Sequence, residues 1–248
     1  MDMIDRYISP MTEAELKKAC SRIKHVALDM DGTIYLGSQL FPFTMDFLKM
    51  LHDNGIGYSF LTNNPTKSID DYLKKLKGLG IEASREEMYT TAVATIEYLK
   101  TNMPEAKRLF VLGTPSMIKE FEQAGFEMAA VDAADRPDAL VVAFDTTLVY
   151  DRLCHASWWA SQGIPYIATN PDMLAGIRHR YGLEADEIAM CGDRIYTDVA
   201  MARNAGALGV LVLSGETTLD TALNSDPQPP VTAVNIMEFG KLLIQSRN

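Results

Sequence analysis

Apolar residues in this chain fall into two alternating rhythms: short unbroken runs of strand length, and longer stretches with a period near 3.6. Residues 12–22 read as a helix, with Thr12 as N-cap and Glu15 completing a capping box. The run 23–28 is a strand broken by Gly32. A helix over 42–54 lines up Phe43, Phe47, Met50 and Leu51, and Gly55 stands just past its end. A strand over 56–61 leads to a helix with Ile69, Tyr72, Leu73, Leu76 and Leu79 on one face, and then to a short strand at 88–91.

From Ala92 the pattern restarts. A helix over 92–101, a strand over 108–112 and a helix opened by Pro115 come first, the last with Met117, Ile118 and Phe121 inward. Strands follow near 126–131 and 139–144, then a helix over 150–162 and a strand over 164–168. Of the adjacent Trp158 and Trp159, one is expected to pack inward and one to stay partly exposed. The remainder reads as a helix over 171–181, a strand over 187–191, a helix to Asn204, a strand over 209–213 and a last helix over 236–246. Strands alternating with helices predict an α/β, doubly wound parallel sheet. The restart predicts an inserted second α/β unit: core 1–91, insert 92–170, core 171–248.

Chemistry gathers where strands end. Asp29 and Asp31 follow the first strand, Thr62 and Asn63 the second, and Gly192-Asp193 with Asp198 the strand over 187–191. In an open α/β sheet ligands bind in the crevice at those carboxyl ends. Two carboxylates one residue apart repel unless a cation or proton lies between them. Mg²⁺ suits such a place, because it takes one or two carboxylates plus phosphate oxygens. These ends also have a plain reading: aspartates capping a turn, or Asn64 or Thr66 capping the next helix.

The motifs themselves are more specific. D-M-D-G-T at 29–33, L-T-N-N at 61–64 and G-D-R-I-Y-T-D at 192–198 resemble motifs one, two and four of the haloacid dehalogenase (HAD) phosphatases. The wording is nearest the NagD-like, p-nitrophenylphosphatase branch, and V-V-A-F-D at 141–145, I-A-T-N-P at 167–171 and L-V-L-S-G at 211–215 resemble it too. The resemblance implies a Rossmann-like core with an inserted α/β cap, and Mg²⁺-dependent hydrolysis of a small phosphorylated metabolite through an aspartyl-phosphate. It makes Asp29 the nucleophile and Asp31 the general acid and base. Mg²⁺ would be held by Asp29, the Asp31 backbone carbonyl and Asp193, with Asp198 behind them. Thr62 and the Asn63 backbone would hold phosphoryl oxygens, and two copies would pair through their caps. Asp145, at a cap strand's end beside Thr146 and Thr147, is a candidate substrate contact, with turn capping as its plain alternative.

One departure stands out. The family carries a loop, a cap helix and a lysine before the helix that leads to motif four. Here no lysine occurs between Lys119 and Lys241, the position aligns with Ala168, and the chain runs from Thr169-Asn170 straight into P-D-M-L. Arg178 is the nearest downstream substitute, though well along a helix. The missing cation keeps a second reading open: an impaired or non-catalytic phospholigand-binding protein on the same scaffold.

Charge and cysteines narrow the setting. A net charge of −10 disfavours nucleic acid as a partner. Cys20, Cys154 and Cys191 show no metal or disulfide spacing and fit a reducing cytoplasm. No apolar run reaches the length of a membrane span. His25, His52, His155 and His179 match no ligand or triad spacing and read as structural.

Overall fold

The structure is a computed structural model, and it describes residues 6–62, 64, 67–169 and 173–247. Contacts divide the chain into two units. One comprises Met1–Leu61, Leu79–Ile81 and Ile177–Asn248, the other Thr62–Gly78 and Glu82–Gly176.

In the first unit the strands lie side by side in the order Tyr7–Ile8, Val231–Ala233, Leu208–Val212, Ile188–Gly192, His25–Leu28 and Gly57–Thr62. All run parallel except Tyr7–Ile8, which pairs antiparallel with Val231–Ala233 at the edge. The central strands are apolar on both faces, as a sheet covered on both sides requires. Their carboxyl ends share one edge, and Asp29, Asp193 and the 213–217 loop follow three adjacent strands there. The Asp29 N–H donates to the Cys191 carbonyl (2.8 Å), which extends the ladder one step and fixes where that carboxylate starts. Glu13–Arg22 is the expected helix, with its capping box formed.

The second unit has its own parallel sheet, in the order Tyr166–Ala168, Ala139–Val142, Arg108–Leu112 and Glu127–Met128. Alternate residues feed two cores. Leu109, Val111, Ala139 and Val141 pack under the helices Thr91–Asn102 and Pro115–Gln123, while Phe110, Leu112 and Leu140 pack with Trp159 on the other face. Trp159 is buried and Trp158 is half exposed, the division expected of the pair.

Several boundaries differ from the sequence reading for local reasons. The strand expected over 126–131 stops at Met128, because Asp135 Oδ2 captures the Ala130 N–H. The helix leading to Asn204 opens with a π turn, Ile195–Val199, in which Asp198 Oδ2 accepts the Arg194 N–H at 3.0 Å. By contacts, residues 62–78 group with the second unit. The helix Ile69–Gly78 is bound to the helix Pro115–Gln123 through its first N–H, which donates to Glu120 Oε1 (3.0 Å), and Arg85 bridges Asp70 and Glu120. The strands Tyr7–Ile8 and Val231–Ala233, the hairpin of Tyr35–Leu36 with Gln39–Leu40, and the helix Leu219–Leu223 are additional.

Candidate active site

Two segments of the first unit bring Asp29, Asp193 and Asp198 together, with one carboxylate oxygen of each within 4.8 Å of the others. Asp29 follows the strand His25–Leu28, Asp193 follows Ile188–Gly192, and Asp198 projects from the π turn. Glycines make this approach feasible. Gly32 has φ +87°, a left-handed conformation that side chains rarely adopt, and a Cβ on it would overlap Asp193 Oδ2. A Cβ on Gly192 would overlap the Asp198 carboxylate in the same way.

The crowding shows in the acidities. Burial pushes the Asp29 carboxyl well above the usual carboxylate range, and the charges of Asp198 and Asp193 push it further, against the Met30 N–H and Arg194. Burial likewise raises Asp198 to about 6, with Asp193 adding to it and the Arg194 N–H, the Thr197 hydroxyl and the Arg194 charge opposing. Three carboxylates in this space cannot all be charged without a cation. Asp193 supports that inference independently, because its Oδ1 is buried with no hydrogen-bond partner among the described residues. An all-oxygen set with one vacant, buried carboxylate oxygen suits a small hard divalent cation.

The other candidates fall elsewhere. The Asp31 side chain is not in this group; it turns to the exposed hairpin, where Oδ1 accepts the Gly37 N–H at 3.3 Å. Asp198, expected behind the ligands, has a carboxylate oxygen within 4.8 Å of those of Asp29 and Asp193. Thr62 ends its strand and belongs by contacts to the second unit; its hydroxyl lies 3.3 Å from Tyr72 Oη and accepts the Asn64 N–H at 3.2 Å. Asn63 lies outside the described residues. Asp145 makes the hydrogen bonds of a turn cap. Its buried carboxylate accepts from the Thr147 N–H and hydroxyl and from Arg152 (2.7 Å), and Arg152 also donates to the Val111 and Gly113 carbonyls.

This arrangement sits in a chain with clear relatives. Residues 26–127 match the model of a haloacid dehalogenase-like hydrolase family, and residues 168–238 match a second HAD-like hydrolase model. The 4-nitrophenylphosphatase from Thermotoga maritima superposes with a TM-score of 0.82 at 30% identity, over 90% of this chain and 98% of that one. The chain belongs to the haloacid dehalogenase-like hydrolases. It is 25% identical to the acid sugar phosphatase of Staphylococcus aureus over 87% of its own length and 96% of that protein's. A glycerol phosphate phosphatase from Mycobacterium tuberculosis, solved in complex with magnesium, shares the fold at a TM-score of 0.71 and 22% identity, over 91% of this chain and 79% of that one. The relatives are phosphatases, and this HAD protein is an enzyme of that kind.

Two residues, Arg194 and Glu216, gain importance that sequence reasoning left without a role. Arg194, inside the G-D-R motif, is the cation whose field reaches Asp29 and Asp198. Arg178 is committed elsewhere, with Glu184 at 3.7 Å. Glu216 accepts from Arg194 Nε (2.8 Å) and Tyr196 Oη (2.6 Å), while its own N–H donates to Asp193 Oδ2 (2.6 Å). The available signal was position: the 214–217 loop follows the strand next to the one that carries Asp193.

Proposed function

We propose that this HAD enzyme hydrolyses small phosphomonoesters with Mg²⁺, sugar phosphates being the first class to test. The convergence of Asp29, Asp193 and Asp198 around an unpartnered, buried Asp193 oxygen carries this reading. Those three residues would hold the cation, which when bound supplies charge neutralisation for the carboxylates and the phosphoryl oxygens.

Asp29 attacks phosphorus, and the P–O bond to the alcohol breaks. Asp31 gives its proton to the departing oxygen, which leaves an Asp29 acyl phosphate. Asp31, now a carboxylate, takes a proton from water as that water attacks phosphorus, so phosphate departs and both aspartates return to their starting state. The exposed hairpin position of Asp31, off the carboxylate cluster, leaves it accessible for this proton traffic. Thr62 and the Asn63 backbone are assigned to the phosphoryl oxygens on the strength of the L-T-N-N motif.

We also place the protein in the cytoplasm, a reading supported by three free cysteines. Among the described residues no helix is long and apolar enough to cross a membrane. Pairing of two copies through the cap is supported by the exposed Phe144, Leu148, Val149, Tyr150 and Leu153, all in one stretch of that unit.

Phosphate release from p-nitrophenyl phosphate, with and without Mg²⁺, tests the proposal in the wild type and in Asp29→Asn. Metal-dependent release that disappears in the variant is expected. A folded, Mg²⁺-supplied wild type that binds phosphate but turns over neither this ester nor a panel of sugar phosphates would favour the phospholigand-binding reading, which the missing lysine motivates.

A further inference from the structure

The two oxygens of Asp193 have different surroundings. Oδ2 accepts the Glu216 N–H at 2.6 Å, and a Cβ on Gly32 or Gly215 would overlap it. Oδ1 is buried and has no hydrogen-bond partner among the described residues. The Asp193 backbone carbonyl also accepts the Thr217 N–H at 3.2 Å. The 214–217 loop therefore lies across this residue, pins one carboxylate oxygen and leaves the other for a cation.

That loop is braced from two directions. Ser214 Oγ donates to the Gly32 carbonyl (2.7 Å), which ties it to the turn after Asp29. The Glu216 carboxylate accepts from Arg194 Nε and Tyr196 Oη, which ties it to the turn that carries Asp198. The 214–217 loop thus touches the turns that present all three carboxylates, through Ser214 on one side and Glu216 on the other, although the Glu216 carboxylate is not in their group. The Arg194–Glu216 pair is about half exposed on both sides. Pairs of that kind contribute little to global stability. Residues that orient metal ligands, by contrast, commonly change affinity by tenfold or more.

We propose that Glu216 is a positioning residue for the metal: gripped by Arg194 and Tyr196, it holds its own N–H on Asp193 Oδ2 and so directs Oδ1 at the cation. This rests on reading Asp29, Asp193 and Asp198 as the cation site.

The test is a titration of the full chain with Mn²⁺, following free Mn²⁺ by electron paramagnetic resonance, with the melting temperature of the metal-free protein measured alongside. Glu216→Ala should weaken Mn²⁺ binding by about tenfold with the melting temperature nearly unchanged. Glu216→Gln, whose amide oxygen can still accept from Arg194 or Tyr196, should recover most of the affinity. Tyr196→Phe, which removes one exposed hydroxyl, should fall between wild type and Glu216→Ala. A folded Glu216→Ala that binds Mn²⁺ as tightly as wild type overturns the proposal, and so does an equal loss in Glu216→Gln. Should Glu216→Ala fail to fold, undiminished binding in Tyr196→Phe overturns it. Asp193→Asn separates the two layers. If Asp193→Asn binds Mn²⁺ like wild type, or wild type binds none, the cation-site reading has failed; loss in Asp193→Asn without loss in Glu216→Ala defeats the positioning role alone.

Discussion

At the scale of single residues the site is a concentration of unfavourable charge kept for function. Asp29 is destabilised as a carboxylate by burial and by two neighbouring carboxylates. Asp29→Asn should therefore lose turnover while raising the melting temperature of the metal-free chain at neutral pH. Relief of about 1 kcal/mol would move the melting temperature of a chain this size by about 2–4 °C. A variant no more stable than wild type would mean the repulsion is already relieved by protonation. His25 makes the opposite kind of contribution. It is buried beside Ser59 Oγ (2.9 Å) and stacked on Tyr181, and burial, with the Arg180 charge, lowers its pKa to about 4. The unfolded chain binds the proton more readily, so this contribution is intact above the ordinary histidine pKa and is lost as pH falls from there towards 4. Over that window the loss is roughly 3 kcal/mol, at about 1.4 kcal/mol per unit. Asp198, raised to about 6, acts with the opposite sign over part of the same window, since the folded chain binds its proton first. Comparing wild type with His25→Gln by urea unfolding at neutral and acidic pH isolates the histidine: the variant should lose less stability on acidification. Asp29, Asp193 and Asp198 could be singled out in the sequence because they lie in motifs that resemble those of the family, at or soon after strand ends. Glu216 was not, because its role depends on the close approach of three loops separated along the chain.

At the scale of elements, legibility tracked length. Helices with several turns and apolar strands of four or more residues were readable from periodicity, and Thr12 with Glu15 forms its capping box as the pattern required. Elements of two or three residues, such as Tyr7–Ile8 and Val231–Ala233, offer too few positions for any period to show and are set by pairing with each other. Side chains that trim an element are equally invisible; Asp135 ending the strand after Met128 is one case. Asp145 is another. Its motif position resembles a substrate contact, yet its side chain is nearly inaccessible and holds Arg152, which in turn donates to carbonyls at the end of the strand Arg108–Leu112. Removing one partner of a buried pair leaves the other uncompensated. Asp145→Asn should accordingly lower stability by about 2–3 kcal/mol in chemical denaturation while the folded variant keeps its KM for p-nitrophenyl phosphate. A raised KM at unchanged stability would return Asp145 to the substrate.

At the scale of the whole molecule, the family pattern reveals both what the chain keeps and what it lacks. Three motifs dispersed from Asp29 to Asp198 survive, and those in the first unit meet at one sheet edge because parallel strands deliver their carboxyl ends there. No lysine lies between Lys119 and Lys241, so in a molecule of net charge −10 the Arg194 charge is the one that acts against the raised pKa of Asp29. The second unit raises a separate question, since it carries its own cores and yet leaves five large apolar side chains in the open within residues 144–153. Tyr150 is 81% exposed and Phe144 65%, far more than the packed face of the same helix and strand. A patch of that kind exposed to water calls for a cover, and a second copy of the chain would supply one with the same apolar face. Light scattering coupled to size exclusion should find twice the mass of one chain, and the double variant Tyr150→Glu with Leu153→Glu should return it to one without changing the melting of the isolated unit's cores. A wild type that elutes as a single chain at high concentration would sink the dimer and leave the patch to contacts within one molecule.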